Sequence, residues 1–149
     1  MNKLQGLTTY LRDRRLVEPE QLDSFTEQVK LVLVWKPDVD GMHFADMHYR
    51  AAIILERFAD HPARLMALVG SWLENHDSDR DRHELPTPEF AVEPLDNDLF
   101  DVEITLEFVE PQYLAEDPAG EIEAFGKLWA FIPFDLWVAE RGEVATGER

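Results

Sequence analysis

Residues 99–110 constrain the fold most, because from Phe100 to Phe108 apolar and polar side chains alternate without a break. This period-two pattern is typical of a β-strand with one buried and one exposed face. The exposed face would be almost purely acidic, which is unusual for a soluble sheet. The side predicted to be buried comprises Phe100, Val102, Ile104, Leu106 and Phe108, and the other side comprises Asp101, Glu103, Thr105 and Glu107.

The energetics of this strand leave open whether the acidic face has a function. Neighbouring acids on one strand face lie roughly 6.5–7 Å apart, and each such pair costs about 0.6 kcal/mol at a water-like dielectric. Burial of the five apolar side chains contributes roughly 8–15 kcal/mol, an upper bound. The strand therefore tolerates its own repulsion, and stability alone neither requires nor forbids the acidic face.

The charge of the whole chain narrows the possible partners. The sequence has 31 Asp and Glu residues against 14 Lys and Arg residues, a net charge of −17. Residues 84–149 hold 17 of the acids and three bases, a balance of −14. Binding of nucleic acid through a basic patch is therefore disfavoured. A basic protein partner, cations, repulsion of a polyanion and plain solubility remain as explanations.

Length and composition indicate one soluble domain spanning residues 1–149. A chain of 149 residues can bury about 68–70% of its unfolded surface. The absence of cysteine excludes disulfides and thiolate chemistry. We expect neither a signal peptide nor a membrane span, and therefore a protein made in the cytoplasm.

The first half of the chain predicts two helices and two strands. We expect a helix over 2–16, a helical turn within 18–27, a central strand over 29–35, and a strand over 47–58. A second helix should run from about His61 to Asn75, with Asp60 as its N-cap and Pro62 in its first turn.

The second half predicts strands separated by two mobile loops. We expect the loops near 77–88 and 111–121, a strand opening at 90–92, and a turn at Asn97-Asp98. Because Pro133 disfavours a regular central strand, residues 128–138 should form an edge strand or two short pieces. The tail over 141–149 should be frayed. The fold class is therefore α+β, a mostly antiparallel or mixed sheet packed against two main helices.

No residue pattern in the chain indicates catalysis, a cofactor or a metal. His43 and His48 are five residues apart and lack the spacing of a helical zinc pair. Asp77, Asp79 and Asp81 alternate but do not match a calcium-binding loop, which leaves a solvated charged loop as the simpler interpretation. Scattered carboxylates have no specificity as acid–base candidates. We therefore predict that the protein is not an enzyme.

Large aromatic residues are concentrated near the C-terminus. They pack the core in one interpretation, and they form an apolar subunit interface in the other, since such residues are enriched at interface centres. The candidates are Trp129, Phe131, Phe134 and Trp137.

Several strings resemble the tail completion protein R family of contractile-tailed temperate phages. They are L-V-G-S-W-L-E-N at residues 68–75, N-D-L-F-D-V-E-I-T-L at residues 97–106, and F-D-L-W-V at residues 134–138 followed by G-E-V at 142–144. The resemblance implies a tail-terminator-like α/β subunit without catalytic residues. It also implies a virion tail protein that is added at the head-proximal end of the tail, stops its growth, and prepares it for joining to the head.

The resemblance further implies partners and a use for the acidic face. Tail terminators assemble as six-fold rings, which implies contacts with tube and sheath proteins and with the head–tail connector or neck proteins, while DNA passes through. An acidic face of Asp101, Glu103 and Glu107 could then line the channel and repel phosphate. The alternative is an acidic module that mimics DNA and occupies a basic groove on a partner protein.

Overall fold

The computed structural model describes residues 1–39 and 41–133. Two α-helices and one antiparallel sheet confirm the α+β class. Among the described residues the strand order is β1, β2, β4, β6 and β5, and β3 pairs with β4. The elements are α1 (Asn2–Asp13), β1 (Leu22–Asp38), β2 (Gly41–Phe58), α2 (Pro62–His76), β3 (Glu89–Pro94), β4 (Phe100–Glu116), β5 (Ile122–Ala124) and β6 (Lys127–Ile132), with short 3-10 turns at Pro19–Gln21, Arg80–His83 and Asp96–Asp98.

The chain groups into two compact units. The first unit comprises Met1–Val29 and Tyr49–Val109, and the second comprises Lys30–His48 and the residues from Glu110 onwards. Strands β1, β2 and β4 each contribute residues to both units. The expectation of a single domain over 1–149 stays a prediction.

The core of the first unit lies between the two helices and the apolar side of β4. The alternation in β4 is confirmed, because Val102, Ile104, Leu106 and Phe108 are all buried. The Phe108 ring packs 5.6 Å from Tyr49 and edge-on to Trp72 at 6.3 Å between ring centroids. Helix α1 contributes Leu4, Leu7 and Leu11, and α2 contributes Leu65, Val69, Trp72 and Leu73. The helical periodicity of both stripes explains why these segments form amphipathic helices.

A buried carboxylate ties the first unit together. Asp77, 1% exposed, accepts a hydrogen bond at 2.6 Å from Lys3 Nζ and another at 2.6 Å from Arg80 Nη1. Lys3 Nζ also donates to the carbonyl oxygen of Val109 at 2.8 Å. The N-terminus of α1, the C-terminal end of α2 and β4 therefore meet at one ion-paired group. The predicted loop over 77–88 is thus anchored at its start, and it contains a 3-10 turn.

The second unit has a small core of Met42, Leu114 and Trp129. Trp35 packs against this core and lies 5.8 Å from the Phe44 ring and 5.4 Å from the Phe125 ring. The indole N–H of Trp129 donates to the carbonyl oxygen of Ala124 at 2.9 Å, which closes the β5–β6 hairpin. This buried indole is therefore satisfied as a donor.

The prediction of a central strand over 29–35 is wrong. β1 lies at the edge of the described sheet, with β2 as its neighbour. Residues 27–33 are all exposed, including Val29, Leu31, Val32 and Leu33. A run of apolar residues on both strand faces predicts burial, but no described element covers this run.

The predicted loop over 111–121 is also too long. β4 continues through Pro111 to Glu116, because Tyr113–Glu116 pair with Ile132–Trp129 of β6. Pro111 is tolerated because it falls between the β3 register, which ends at Thr105, and the β6 register, which begins at Tyr113.

The remaining predictions differ from the structure mainly at element ends. Helix α1 ends at Asp13, and β1 begins at Leu22, directly after the turn at Pro19–Gln21. The N-cap of α2 is His61, whose Nδ1 accepts from the Ala63 N–H at 3.1 Å, and not Asp60. Asp60 instead accepts from the His61 N–H at 2.7 Å, which lowers the pKa of its carboxyl, with a further contribution from Arg64. β6 ends at Ile132, directly before Pro133, and residues 134–138 and the tail over 141–149 lie outside the described residues.

Candidate functional site

The acidic side of β4 continues onto β3. In the antiparallel register Glu93 lies opposite Asp101, Ala91 lies opposite Glu103, and Glu89 lies opposite Thr105. Directly opposite residues of paired strands project from the same face. The face therefore combines Asp101, Glu103 and Glu107 of β4 with Glu89 and Glu93 of β3, and we call these five residues the acidic face.

The charged side chains that the described part of the chain contributes to a shallow groove on this face are all acidic. The groove has a volume of about 240 Å³, and its lining by residues within 1–39 and 41–133 includes Glu56, Glu93, Asp101 and Glu103 but no Lys or Arg. Like charges placed directly opposite on paired strands are destabilising, as for Glu93 and Asp101. An arrangement without a compensating base is suited to repelling an anion or to receiving a cationic partner.

The three predicted acidic residues differ in their surroundings. Asp101 is half-buried, and its Oδ1 accepts a hydrogen bond at 3.0 Å from the backbone N–H of Arg57. Arg57 has a positive φ of 57°, so this carboxylate holds a strained position near the end of β2. Glu103 is exposed and Glu107 is half-buried. Asp101 therefore combines a structural contact with its charge, while Glu103 is a surface charge.

The predicted aromatic cluster is divided by the structure. Trp129 is buried in the core of the second unit, as the core interpretation requires. Phe131 is 51% exposed and is available to a partner. Phe134 and Trp137 lie outside the described residues. The role of these residues in a subunit interface stays a prediction.

Sequence reasoning missed a groove in the second unit. Its volume is about 540 Å³, and Trp35, Met42, Phe125 and Trp129 form its apolar wall. Its charged groups include Asp38 and an exposed ion pair of Lys127 with Glu116 at 3.4 Å. The nearest signal in the sequence is the aromatic residue Phe125, which lies between the loop predicted near 111–121 and the strand segment predicted from residue 128.

The histidine and aspartate patterns do not come together as a metal site in the described part of the chain. His43 Nε2 lies 2.7 Å from Asp46 Oδ1, and its ring packs 5.3 Å from Tyr113. Asp77 is held by Lys3 and Arg80. Among residues 1–39 and 41–133, no group of three or more His, Asp or Glu side chains converges on a point that a metal could occupy. Within the same ranges no helix is long and apolar enough to cross a membrane.

Comparison with known protein families decides what this scaffold is. The family model of the P2 phage tail completion protein R (GpR) matches residues 1–130 of the 149-residue chain. The chain belongs to this family. It is therefore a structural protein of the phage tail, and its place is the virion tail, where it contacts other tail components. The family is not a known enzyme family.

The GpR match covers both helices and all but the last residues of β6. Comparisons with curated proteins and with solved structures gave no match. Residues 29–33 and the acidic face both lie inside the matched region.

Proposed function

We propose that this protein caps the head-proximal end of the tail tube, ends tail elongation and helps to join the tail to the head. The family match over residues 1–130 is the observation that carries this proposal. Several copies assemble as a six-fold ring on the tube end during assembly in the host cytoplasm. Tube and sheath proteins contact the ring on one side, and connector or neck proteins contact it on the other.

The acidic face supports a position next to the path of the DNA. Phosphate backbones adhere to basic grooves because counterions are released, and an acidic wall has the opposite effect. The repulsion acts over about 8 Å at physiological salt, so only carboxylates near the lumen affect the DNA. In this arrangement Glu103, which is exposed, faces the channel, and Asp101 keeps β4 joined to the end of β2.

The test of the capping role is a phage in which the gene is deleted and then supplied in trans. Electron microscopy should show tails that exceed the normal length or that carry no head, because nothing stops polymerisation or prepares the tube end. Supplying the wild-type protein should restore normal particles. Tails of normal length joined to heads in the deletion mutant would refute the proposal.

A further inference from the structure

The edge of β1 exposes an apolar surface that a folded chain normally covers. Its central residues are Lys30-Leu-Val-Leu-Val-Trp-Lys36, which we call the edge segment. Leu31 and Leu33 are 59% and 58% exposed, and β1 has only β2 as a strand neighbour among the described residues. An exposed apolar edge strand is a template for another strand.

The charge of the edge segment indicates what kind of surface covers it. It contains two lysines and no acid, although the chain carries a net charge of −17. Neither Lys30 nor Lys36 forms an ion pair with any residue in the described ranges. A strand that pairs here should therefore be acidic at its ends and apolar in its middle.

β3 has this composition and is itself an edge strand. It reads Glu89-Phe-Ala-Val-Glu-Pro94, and within the described sheet it pairs only with β4. Glu89, Ala91 and Glu93 are exposed and share one face, while Phe90 and Val92 are half-buried on the other. β5 is a poorer match, because it has three residues and a single acid.

We propose that the edge segment of one copy pairs antiparallel with β3 of a second copy, with Val32 opposite Ala91 at the centre. The inference rests on the proposed function only in requiring that several copies meet. A contact between two different edges is heterologous, so it repeats from copy to copy and closes into a ring when the rotation between neighbouring copies is a whole fraction of a turn.

This register matches the faces of the two strands and pairs one of the two lysines with an acid. Lys30 lies opposite Glu93, and Val34 lies opposite Glu89, so the lysine face of the edge segment continues the acidic face. Lys30 then stands in a row with Glu93 and Asp101, and it relieves the repulsion between those two carboxylates. Leu31 and Leu33 continue the apolar side formed by Phe90 and Val92.

The contact should be weak for two isolated copies. One pair of short strands covers far less than the roughly 1,200 Å² that a stable interface buries. Copies held side by side on a tube end raise the effective concentration, and each copy then uses both of its edges. We therefore expect the paired form mainly on tails and at high protein concentration.

Disulfide crosslinking tests the register directly, because the chain contains no cysteine. Val32→Cys and Ala91→Cys are introduced into separate copies, and the two variant proteins are mixed and oxidised. The reaction is carried out on purified protein at high concentration and on isolated tails. Directly opposite residues lie close enough for a disulfide. A band at twice the 17.3 kDa chain mass is expected only for the mixture. The matched control pairs Leu33→Cys with Ala91→Cys, where the side chains point to opposite faces, and should give background yield.

A charge exchange tests the predicted ion pair. Lys30→Glu should abolish the Val32–Ala91 crosslink by placing two acids opposite each other, and Glu93→Lys in the other copy should restore it. Lys36→Glu is the control, because no acid of β3 lies opposite it in this register. Rescue by Glu89→Lys in place of Glu93→Lys would indicate a parallel pairing and overturn the register.

Failure of this inference is distinguishable from failure of the capping role. Tails that contain the protein, have normal length and give no Val32–Ala91 crosslink would overturn the pairing while leaving capping intact. A crosslink of Val32→Cys to a different tail protein would also overturn it. Should either variant fail to fold by circular dichroism, Val34→Cys with Glu89→Cys tests the same register. The two experiments can also give the reverse result. A Val32–Ala91 crosslink between purified cysteine variants would support the pairing, and normal tails in the deletion mutant would refute capping.

Discussion

Asp77 is a buried carboxylate that holds two cations of the first unit. Its two carboxylate oxygens are used by Lys3 and Arg80, both at 2.6 Å, and Arg80 also lies 5.8 Å above the Phe108 ring. Asp77→Ala removes the carboxylate that lies nearest to Lys3 and Arg80, and removal of one member of a buried ion pair is strongly destabilising. We expect the free energy of unfolding to fall by about 3 kcal/mol, measured by urea denaturation. Asp81→Ala, at an exposed position, should change it by less than about 0.5 kcal/mol.

Two glycines should respond in opposite directions to alanine substitution. A Cβ at Gly70, on the exposed side of α2, meets nothing within 4 Å, so Gly70→Ala should stabilise the protein by roughly 0.5–1 kcal/mol through helix propensity. A Cβ at Gly120 would overlap the backbone carbonyl of Trp129, so Gly120→Ala should destabilise by about 2 kcal/mol. Thermal unfolding of both variants decides the signs, and a stable Gly120→Ala protein would contradict the packing of this turn on β6.

The elements whose apolar side chains are buried against other parts of the same chain were predictable from sequence. The alternation in β4 and the stripes of α1 and α2 specify buried faces, and β4, α1 and α2 lie where the patterns place them. The edge position of β1 was not predictable, because a run of apolar residues on both strand faces is also the pattern of a central strand. The extension of β4 past Pro111 was missed because its pairing with β6 is a long-range contact that local propensity does not encode.

Alanine substitution of two phenylalanines compares a core position in β4 with a surface position in β6. Phe108→Ala in β4 removes a fully buried ring between Tyr49 and Trp72, and we expect a loss of about 3–5 kcal/mol. Phe131→Ala in β6 removes a half-exposed ring and should cost less than about 1 kcal/mol in the isolated protein. If Phe131 belongs to a subunit interface, the same variant should reduce incorporation into tails, measured by immunoblot of purified particles. Incorporation equal to wild type would exclude Phe131 from that interface.

For the whole molecule, the acidic face leads to a prediction about DNA passage. Glu103→Lys combined with Glu107→Lys reverses two charges per copy and keeps Asp101, whose carboxylate holds the Arg57 amide. We expect tails of normal length, because the variants do not change capping. We expect infectivity to fall about tenfold, because ~1.4 kcal/mol of added attraction between the lysines and the DNA phosphates would slow DNA passage by that factor. Phage plating and electron microscopy measure the two effects. The control Glu74→Lys with Asp81→Lys makes the same charge change at exposed positions outside the sheet.

Equal infectivity of the two double variants would place the acidic face away from the DNA.

Sequence reasoning identified the three β4 acids of this face from strand periodicity alone. It could not find the contribution of Glu89 and Glu93, because their position depends on the register between β3 and β4.

The division of the long hairpin between two units has a practical consequence. The chain leaves the first unit at Val29 in β1 and re-enters it at Tyr49 in β2, and the ion pair of Glu27 with Arg50 at 3.2 Å shows that these strands are adjacent there. Replacing residues 30–48 by a short turn would therefore reconnect Val29 to Tyr49 without removing any residue of the first unit. The chain cut in this way and ended at Val109 would be a minimal protein that contains the helices and the acidic face without the edge segment.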